Sequence, residues 1–370
     1  MTRDLTIAPF GLGVRLSFDD TVPEALIARF QESWSDVTDV AERPGSAHRV
    51  SLTEPEGVAG VIAQPTEEAL AEHLGAALTV AAVDACRGRL LSIHASALAL
   101  PDGRVVAFTG RPGAGKSTLI SLAGRRFGYL TDETAAVRRD GTVLPFRKPI
   151  ALHAGGSGWK RHRSPAASGM LPLPDAPLRL AGLWLLARDA DGPDAPVLEE
   201  LGFDEALRAL LPELSWFAEL PSALHHLAAL VDAIGGVRRL RYREAESVLP
   251  LLDGVGEPAV VVEGPVVVEE PERAASAEGA PGGYRRDAGT EWIERDGVVS
   301  CLRGSLVESL TGIAPALWRT LERPASLEEL TAAVVAEHGA PPDGDARHAV
   351  RAVLAELVER GLVERVPPRA

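Results

Sequence analysis

Residues 1 to about 90 alternate apolar and polar segments, with one helical run near Thr66 to Ala85, and carry no chemical motif. They read as a structural lobe packed on a core that begins near Leu90. From Leu90 the texture changes. Val105-Val106-Ala107-Phe108-Thr109 is a short continuous apolar run, the mark of a buried strand, and Thr118-Leu119-Ile120-Ser121-Leu122-Ala123 opens a helix. Pro177 to Ala187, with Leu180, Leu183, Trp184, Leu185 and Leu186, reads as a second buried strand. A helix over Ser222 to Ala233 and an arginine-rich strand over Val237 to Tyr242 bring this region to its end near Leu252.

Between Asp253 and Gly289, prolines at 258, 265, 271 and 281 interrupt Val-, Glu- and Ala-rich stretches, which predicts a linker. The triple valines at 260–262 and 266–268 leave an edge strand open as the alternative. Beyond it, Thr290 to Glu294 and Val298 to Leu302 flank Arg295-Asp296-Gly297, a hairpin signal with Asp-Gly at its turn. Three helices come next. The first covers Ala314 to Leu321, the second opens on the capping box Ser326-Leu327-Glu328-Glu329, and the third runs from about Asp345 to Arg360 with Val350, Val353, Leu354, Leu357 and Val358 on its apolar side. The expected organisation is a lobe over 1–90, an α/β core over 91–252, a linker over 253–289 and a small domain over 290–370.

Composition narrows the class. At 46% hydrophobic and 24% charged, the chain has a globular balance. The N-terminus shows no basic region followed by an apolar run, and the most apolar stretch, Gly75 to Ala85, is too short to span a bilayer, so a cytoplasmic protein without a membrane partner is expected. Cys86 and Cys301 fall in separate domains and offer neither a disulfide framework nor a C-x-x-C metal site. The net charge of −14 argues against nucleic acid as the main partner. Oligomeric state is not written in the composition. Lysine usage says more: of 38 basic residues only Lys116, Lys148 and Lys160 are lysines, so each is expected where a compact ammonium is needed.

Lys116 lies in the segment that carries the chemistry. Gly110-Arg111-Pro112-Gly113-Ala114-Gly115-Lys116-Ser117-Thr118 fills every fixed position of the phosphate-cradling P-loop, between the predicted strand and helix that the motif requires. Glycines at 110, 113 and 115 allow dihedrals closed to other residues, so that successive N–H groups can turn toward phosphate oxygens at a helix N-terminus. Lys116 would reach the β- and γ-phosphates of ATP, and Ser117 would offer its hydroxyl to Mg²⁺.

Tyr129-Leu130-Thr131-Asp132-Glu133 comes after one short helix, and a strand, helix, strand unit would bring Asp132 and Glu133 to the sheet edge that holds Lys116. Two adjacent carboxylates beside a metal–phosphate site can divide the work. One binds Mg²⁺ while the other accepts a proton from an attacking hydroxyl. His94 reads either as a core histidine between strands or as a group at the site. Arg147 and Lys148 would offset charge on a transferred phosphoryl group if their loop folds over it. Lys160, Arg161, His162 and Arg163, flanked by Gly155, Gly156 and Gly158, read either as a mobile basic lid or as a solvated charged loop.

In order and spacing, Ile93-His94-Ala95-Ser96-Ala97-Leu98, the glycine segment, Leu130-Thr131-Asp132-Glu133 and Leu144-Pro145-Phe146-Arg147-Lys148-Pro149-Ile150-Ala151-Leu152 resemble the HPr serine kinase/phosphorylase group and its smaller relatives. The resemblance covers about 90 to 250 and implies an α/β fold of the phosphoenolpyruvate-carboxykinase-like nucleotide type. Position by position it implies Asp132 as the base that deprotonates a serine hydroxyl, and His94 beside the reacting phosphate. Lys148 falls in a Lys-Pro element of the smaller relatives. Glu133 stands where the family has a second aspartate and is left to the metal with Ser117.

The last region, from Asp296-Gly297 through Ala314-Pro315-Ala316-Leu317-Trp318 to Leu357-Val358-Glu359-Arg360-Gly361-Leu362-Val363, resembles the PqqD-like peptide-recognition domains of ribosomal natural-product pathways, which are small winged helix-turn-helix folds. The resemblance implies that the leader of a precursor peptide adds beside a strand near Ser305 to Leu310 and packs on the helix Asp345 to Arg360. A DNA-binding winged helix is disfavoured by charge: residues 284–370 hold 11 arginines, no lysine and 14 acidic residues, a net of −3. The expected function is an ATP- and Mg²⁺-dependent kinase acting on a Ser-type hydroxyl of a captured precursor peptide. A non-catalytic adaptor that binds nucleotide and peptide, and a small-molecule kinase with a structural tail, are the alternatives.

Overall fold

The computed structural model describes residues 3–37, 43–53, 57–153, 160–261, 282–341 and 344–367. The chain divides into two compact units, one of Met1–Leu201, Glu205–Leu220 and Leu230–Val262, the other of Gly202–Asp204, Pro221–Ala229 and Glu263–Ala370.

The first unit begins with a four-stranded sheet, β1 (Asp4–Ile7), β2 (Leu12–Phe18), β3 (Arg43–Ser51) and β4 (Val61–Ala63), in that order, with α1 (Glu24–Ser33) and α2 (Glu67–Ala85). Strand β2 buries Leu12, Val14, Leu16 and Phe18 and leaves the residues between them less buried, the period of two that a one-sided sheet requires. Helix α2 answers with Leu70, Leu74, Leu78 and Ala82, spaced by four, and Thr66 caps it by accepting from the Ala69 N–H at 3.2 Å. Ala136, Leu144 and Phe146 join this core from further along the chain.

The chain from Leu91 to Leu252 adds β5 (Leu91–His94), β6 (Ser96–Ala99), β7 (Arg104–Thr109), α3 (Lys116–Ala123), β8 (Gly128–Thr131), β9 (Thr134–Val137), β10 (Val143–Leu144), β11 (Ile150–His153), β12 (Lys160–Arg163), β13 (Arg179–Arg188), β14 (Val197–Glu200), α4 (Phe203–Leu210), β15 (Leu214–Ser215), α5 (Ala223–Ala233), β16 (Arg238–Tyr242) and α6 (Leu249–Leu252). A six-stranded sheet has the order β14-β16-β13-β7-β6-β8, and a four-stranded sheet the order β10-β9-β5-β15. Strands β7, β13 and β16 are parallel, and β7 and β13 are buried along nearly their whole length, as a sheet covered on both faces demands. Phe108 lies edge-on to Trp184 with ring centroids 5.5 Å apart in this core.

The strand–helix–strand unit forms with one difference from the sequence expectation. Strands β7 and β8 run the same way but are not neighbours, because β6 lies antiparallel between them. The carboxylates still reach the expected edge. Lys160–Arg163 also differs, since it is a strand paired antiparallel with β11; Gly155, Gly156 and Gly158 lie outside the described residues. Most of the expected linker lies outside them too, over 262–281.

The second unit contains an antiparallel meander, β18 (Glu291–Arg295), β19 (Val298–Arg303) and β20 (Leu306–Leu310), preceded by β17 (Tyr284–Arg286). Helices α7 (Ala314–Thr320), α8 (Leu327–His338) and α9 (Ala346–Glu359) come after it, and β21 (Val363–Arg365) returns to pair with β17. Asp296 and Gly297 turn the first hairpin with φ of 51° and 76°, both in the left-handed region that a two-residue turn between twisted strands needs. Ser326 and Glu329 form the capping box. Trp318 is fully buried among Leu317, Leu330, Val350 and Leu354. The buried Arg286 guanidinium lies 5.0 Å from its ring centre and 4.6 Å from that of Trp292, and donates to the Trp318 carbonyl at 2.8 Å.

Candidate active site

Strand β7 ends at Thr109 and α3 starts at Lys116, so Gly110 to Gly115 must turn the chain from the sheet edge into a helix. The backbone does this with φ of 145°, 85° and 94° at Gly110, Gly113 and Gly115. At Gly115 the need is steric as well: a Cβ there would strike the Tyr242 hydroxyl. Tyr242 ends β16 and donates its hydroxyl to the Ala114 carbonyl at 2.7 Å, so it braces the loop from the sheet. Burial raises its pKa above 10, which keeps the donor proton in place. Arg188, its register partner at the end of β13, has its Cδ 3.6 Å from where that Cβ would sit and donates to the Arg243 carbonyl at 3.1 Å. Lys116 folds back to donate to the Gly110 carbonyl. Arg111, Pro112, Gly113, Ser117 and Thr118 are exposed around the helix start.

A second structure meets this loop. The chain steps between the two sheets twice, at Ala95 between β5 and β6 and at Asp132-Glu133 between β8 and β9. The two crossings are tied by the Ala95 N–H donating to the Glu133 carbonyl at 2.9 Å. Thr131 Oγ1 accepts from the Glu133 and Thr134 N–H groups at 3.2 and 3.3 Å, which fixes the tight acidic turn. Thr109 donates its hydroxyl to the His94 carbonyl at 2.9 Å. His94 is thereby anchored to the strand from which the glycine loop springs.

The charges converge here. Lys148 Nζ lies 3.7 Å from Asp132 Oδ1 and is ion-paired with Glu133. Lys148 is held by its own N–H donating to the Phe146 carbonyl at 2.8 Å, and Phe146 is fully buried, its ring centroid 5.0 Å from that of Phe10. Asp132 Oδ1 is buried without a hydrogen-bond partner. Its charge acts on the neighbouring Tyr129 phenol, whose pKa stands well above 10 through burial first and the Asp132 carboxylate second. His94 titrates below 6.5 because partial enclosure disfavours the imidazolium, with Lys116 and Lys148 adding to the effect and Glu213 and Asp132 opposing it. At neutral pH its ring is uncharged and one side is exposed.

Of the residues singled out in the sequence, Lys116, Lys148, His94, Asp132 and Glu133 share one electrostatic neighbourhood. Arg147 is engaged by other groups. Its guanidinium donates to the Tyr129 and Leu171 carbonyls, the latter at 3.0 Å, and lies 4.0 Å from Asp36 with 10% of its side chain exposed. Three residues went unread in the sequence. Tyr242 ends the predicted arginine-rich strand and Arg188 follows directly on the predicted buried strand that stops at Ala187, positions that could have marked them. Glu213 stands one step past the Leu214–Ile93 pairing, which sets it opposite His94, and nothing local signals it. As a donor set, a buried carboxylate oxygen without a hydrogen bond, next to a second carboxylate, suits a hard cation such as Mg²⁺.

Residues 303–363 match the family model for coenzyme PQQ synthesis protein D (PqqD). The structure is similar to the HPr(Ser) kinase/phosphatase from Coxiella burnetii, at 15% identity and a TM-score of 0.26, over 44% of this chain and 91% of that chain. No curated protein matches the chain. The protein is thus a mixed α/β chain with a PqqD domain at its C-terminus. Among its described residues, no helix is long and apolar enough to cross a membrane.

Proposed function

We propose that the protein is an ATP- and Mg²⁺-dependent kinase that phosphorylates a Ser-type hydroxyl of a ribosomally synthesised precursor peptide. One observation carries this reading: a buried carboxylate oxygen of Asp132, without a hydrogen bond and ion-paired with Lys148 at 3.7 Å, sits with Glu133, His94 and Lys116 beside a glycine loop that opens a helix. A site built only to bind a nucleotide has no need of a proton acceptor there.

In this reading residues 91–252 form a P-loop kinase core. The N–H groups of Gly110 to Thr118 hold the phosphates, and Lys116 leaves the Gly110 carbonyl for phosphate oxygens. Ser117 and Glu133 would hold Mg²⁺, which neutralises charge on the phosphates as the transfer proceeds. Asp132 takes the proton of the attacking hydroxyl, whose oxygen bonds to the γ-phosphorus while the bond to the β–γ bridging oxygen breaks and ADP departs. Lys148 offsets charge on the transferred group, and neutral His94 can donate or accept a hydrogen bond there. Arg147 acts at a distance, by locking the end of β8 through the Tyr129 carbonyl.

Residues 290–370 form the winged helix-turn-helix that captures the leader. Strand β20 ends the meander order, so its outer edge would offer backbone groups to an added strand, and α9 would supply the side-chain surface. The stretch 253–289 tethers the two activities, which raises the local concentration of the peptide at Asp132. The test is phosphoryl transfer to a precursor peptide whose leader the protein binds. The intact peptide should be labelled, and removing either its leader or residues 290–370 should raise KM with little change in kcat. Equal KM with and without the leader would show that the C-terminal domain plays no part in capture.

A further inference from the structure

The carboxylate pair already holds a cation, one that belongs to the chain. Lys148 is one of only three lysines, its side chain is 19% exposed, and its ammonium is shared by Asp132 and Glu133, themselves 20% and 33% exposed. Its backbone is fixed between a buried phenylalanine and a proline, so the ammonium is delivered by a stiff segment. Among the described residues no group of three or more His, Cys, Asp and Glu is placed to hold a metal. A divalent cation entering alone would therefore have to evict an ammonium from partly buried carboxylates and would gain two protein side chains in return. Mg²⁺ and Mn²⁺ want six oxygens in near-octahedral array. Phosphates change the balance, because they add ligand oxygens for the metal and offer the displaced ammonium a new anion.

We propose that Lys148 makes metal occupancy of the Asp132–Glu133 pair conditional on a bound nucleoside triphosphate. The pair refuses free divalent cations, the metal enters with the phosphates, and the ammonium passes from the carboxylates to a phosphate oxygen. This rests on the kinase reading only in taking a nucleoside triphosphate as the ligand.

The experiment is an Mn²⁺ titration of the full chain followed by electron paramagnetic resonance, without nucleotide. The wild type should show no binding that Asp132→Asn with Glu133→Gln removes. Lys148→Met should gain one Mn²⁺ site, bound on the order of tenfold or more tighter than any in the wild type, and adding Glu133→Gln should abolish it. Lys148→Arg, which keeps a cation at the pair, should gain none, and circular dichroism should confirm that the variants are folded. Wild-type Mn²⁺ binding that is lost in the Asp132→Asn, Glu133→Gln variant would overturn the proposal, as would a folded Lys148→Met chain with no new site. Peptide labelling is scored separately on the wild type: an active kinase that binds free Mn²⁺ at the pair refutes this inference alone, and a wild type without transferase activity whose Lys148→Met variant gains the site refutes the kinase reading alone.

Discussion

The glycine loop and the acidic corner lie side by side, yet they are built in opposite ways. The loop is one continuous segment whose shape comes from three glycines with positive φ between a strand and a helix. The corner is assembled from separate pieces: His94 at one sheet crossing, Asp132 and Glu133 at another, Lys148 from a loop pinned in a different core, and Glu213 from across a two-residue strand. A local structure can be read from its own residues. An assembled one depends on every element that delivers a part, so damage at a distance should reach it.

The largest effect expected is on the corner's proton acceptor. Asp132→Asn keeps the size of the side chain and should lower kcat by about 10²–10⁴-fold, with nucleotide binding by the loop nearly unchanged in equilibrium titration. A comparable loss of nucleotide affinity would mean that the two regions are one. Phe146→Ala tests delivery from a distance. Deleting this fully buried ring should cost about 3–5 kcal/mol in denaturant unfolding, and in the surviving fold it should weaken the hold of Lys148 on the carboxylates.

Gly115→Ala attacks the loop. Positive φ and the collision with the Tyr242 hydroxyl should together cost about 1–3 kcal/mol, measured as loss of stability and of ATP affinity. Tyr242→Phe removes only the brace at the Ala114 carbonyl, and about 0.5–1.5 kcal/mol of stability or ATP binding should go with it.

The smallest effect is electrostatic. The folded pKa of His94 lies below its unfolded value of 6.5. The unfolded chain therefore binds the proton more readily, and the contribution is present above pH 6.5 and lost as pH falls below it. Activity that uses neutral His94 should persist below pH 6.5, and Glu213→Gln, which removes a charge favouring the imidazolium, should extend it further toward acid. A shift toward alkaline pH would place Glu213 in some other role.

The same contrast explains what could be read from the chain. Features encoded within a few residues were visible: the glycine segment, the Asp296-Gly297 turn, the Ser326–Glu329 cap, and the buried runs that became β7 and β13. Features that depend on strand order were not. Nothing in the spelling of Ser96–Ala99 says that it inserts between β7 and β8. The inward turn of Arg147 is a tertiary matter, since two carbonyls and Asp36 outcompete a charge that is absent without substrate. Glu213 reaches His94 only through the pairing of β15 with β5. Lys160–Arg163 has the composition of a loop, and only its pairing with β11 makes it a strand.

Transfer of label from γ-labelled ATP to the precursor peptide, run in parallel with wild-type protein and Asp132→Asn, tests the central claim most directly. Label on a Ser-type hydroxyl with the wild type, reduced by about 10²-fold or more in the variant, is the result this account predicts. No label with a peptide that the protein demonstrably binds, or equal label from both proteins, would contradict it.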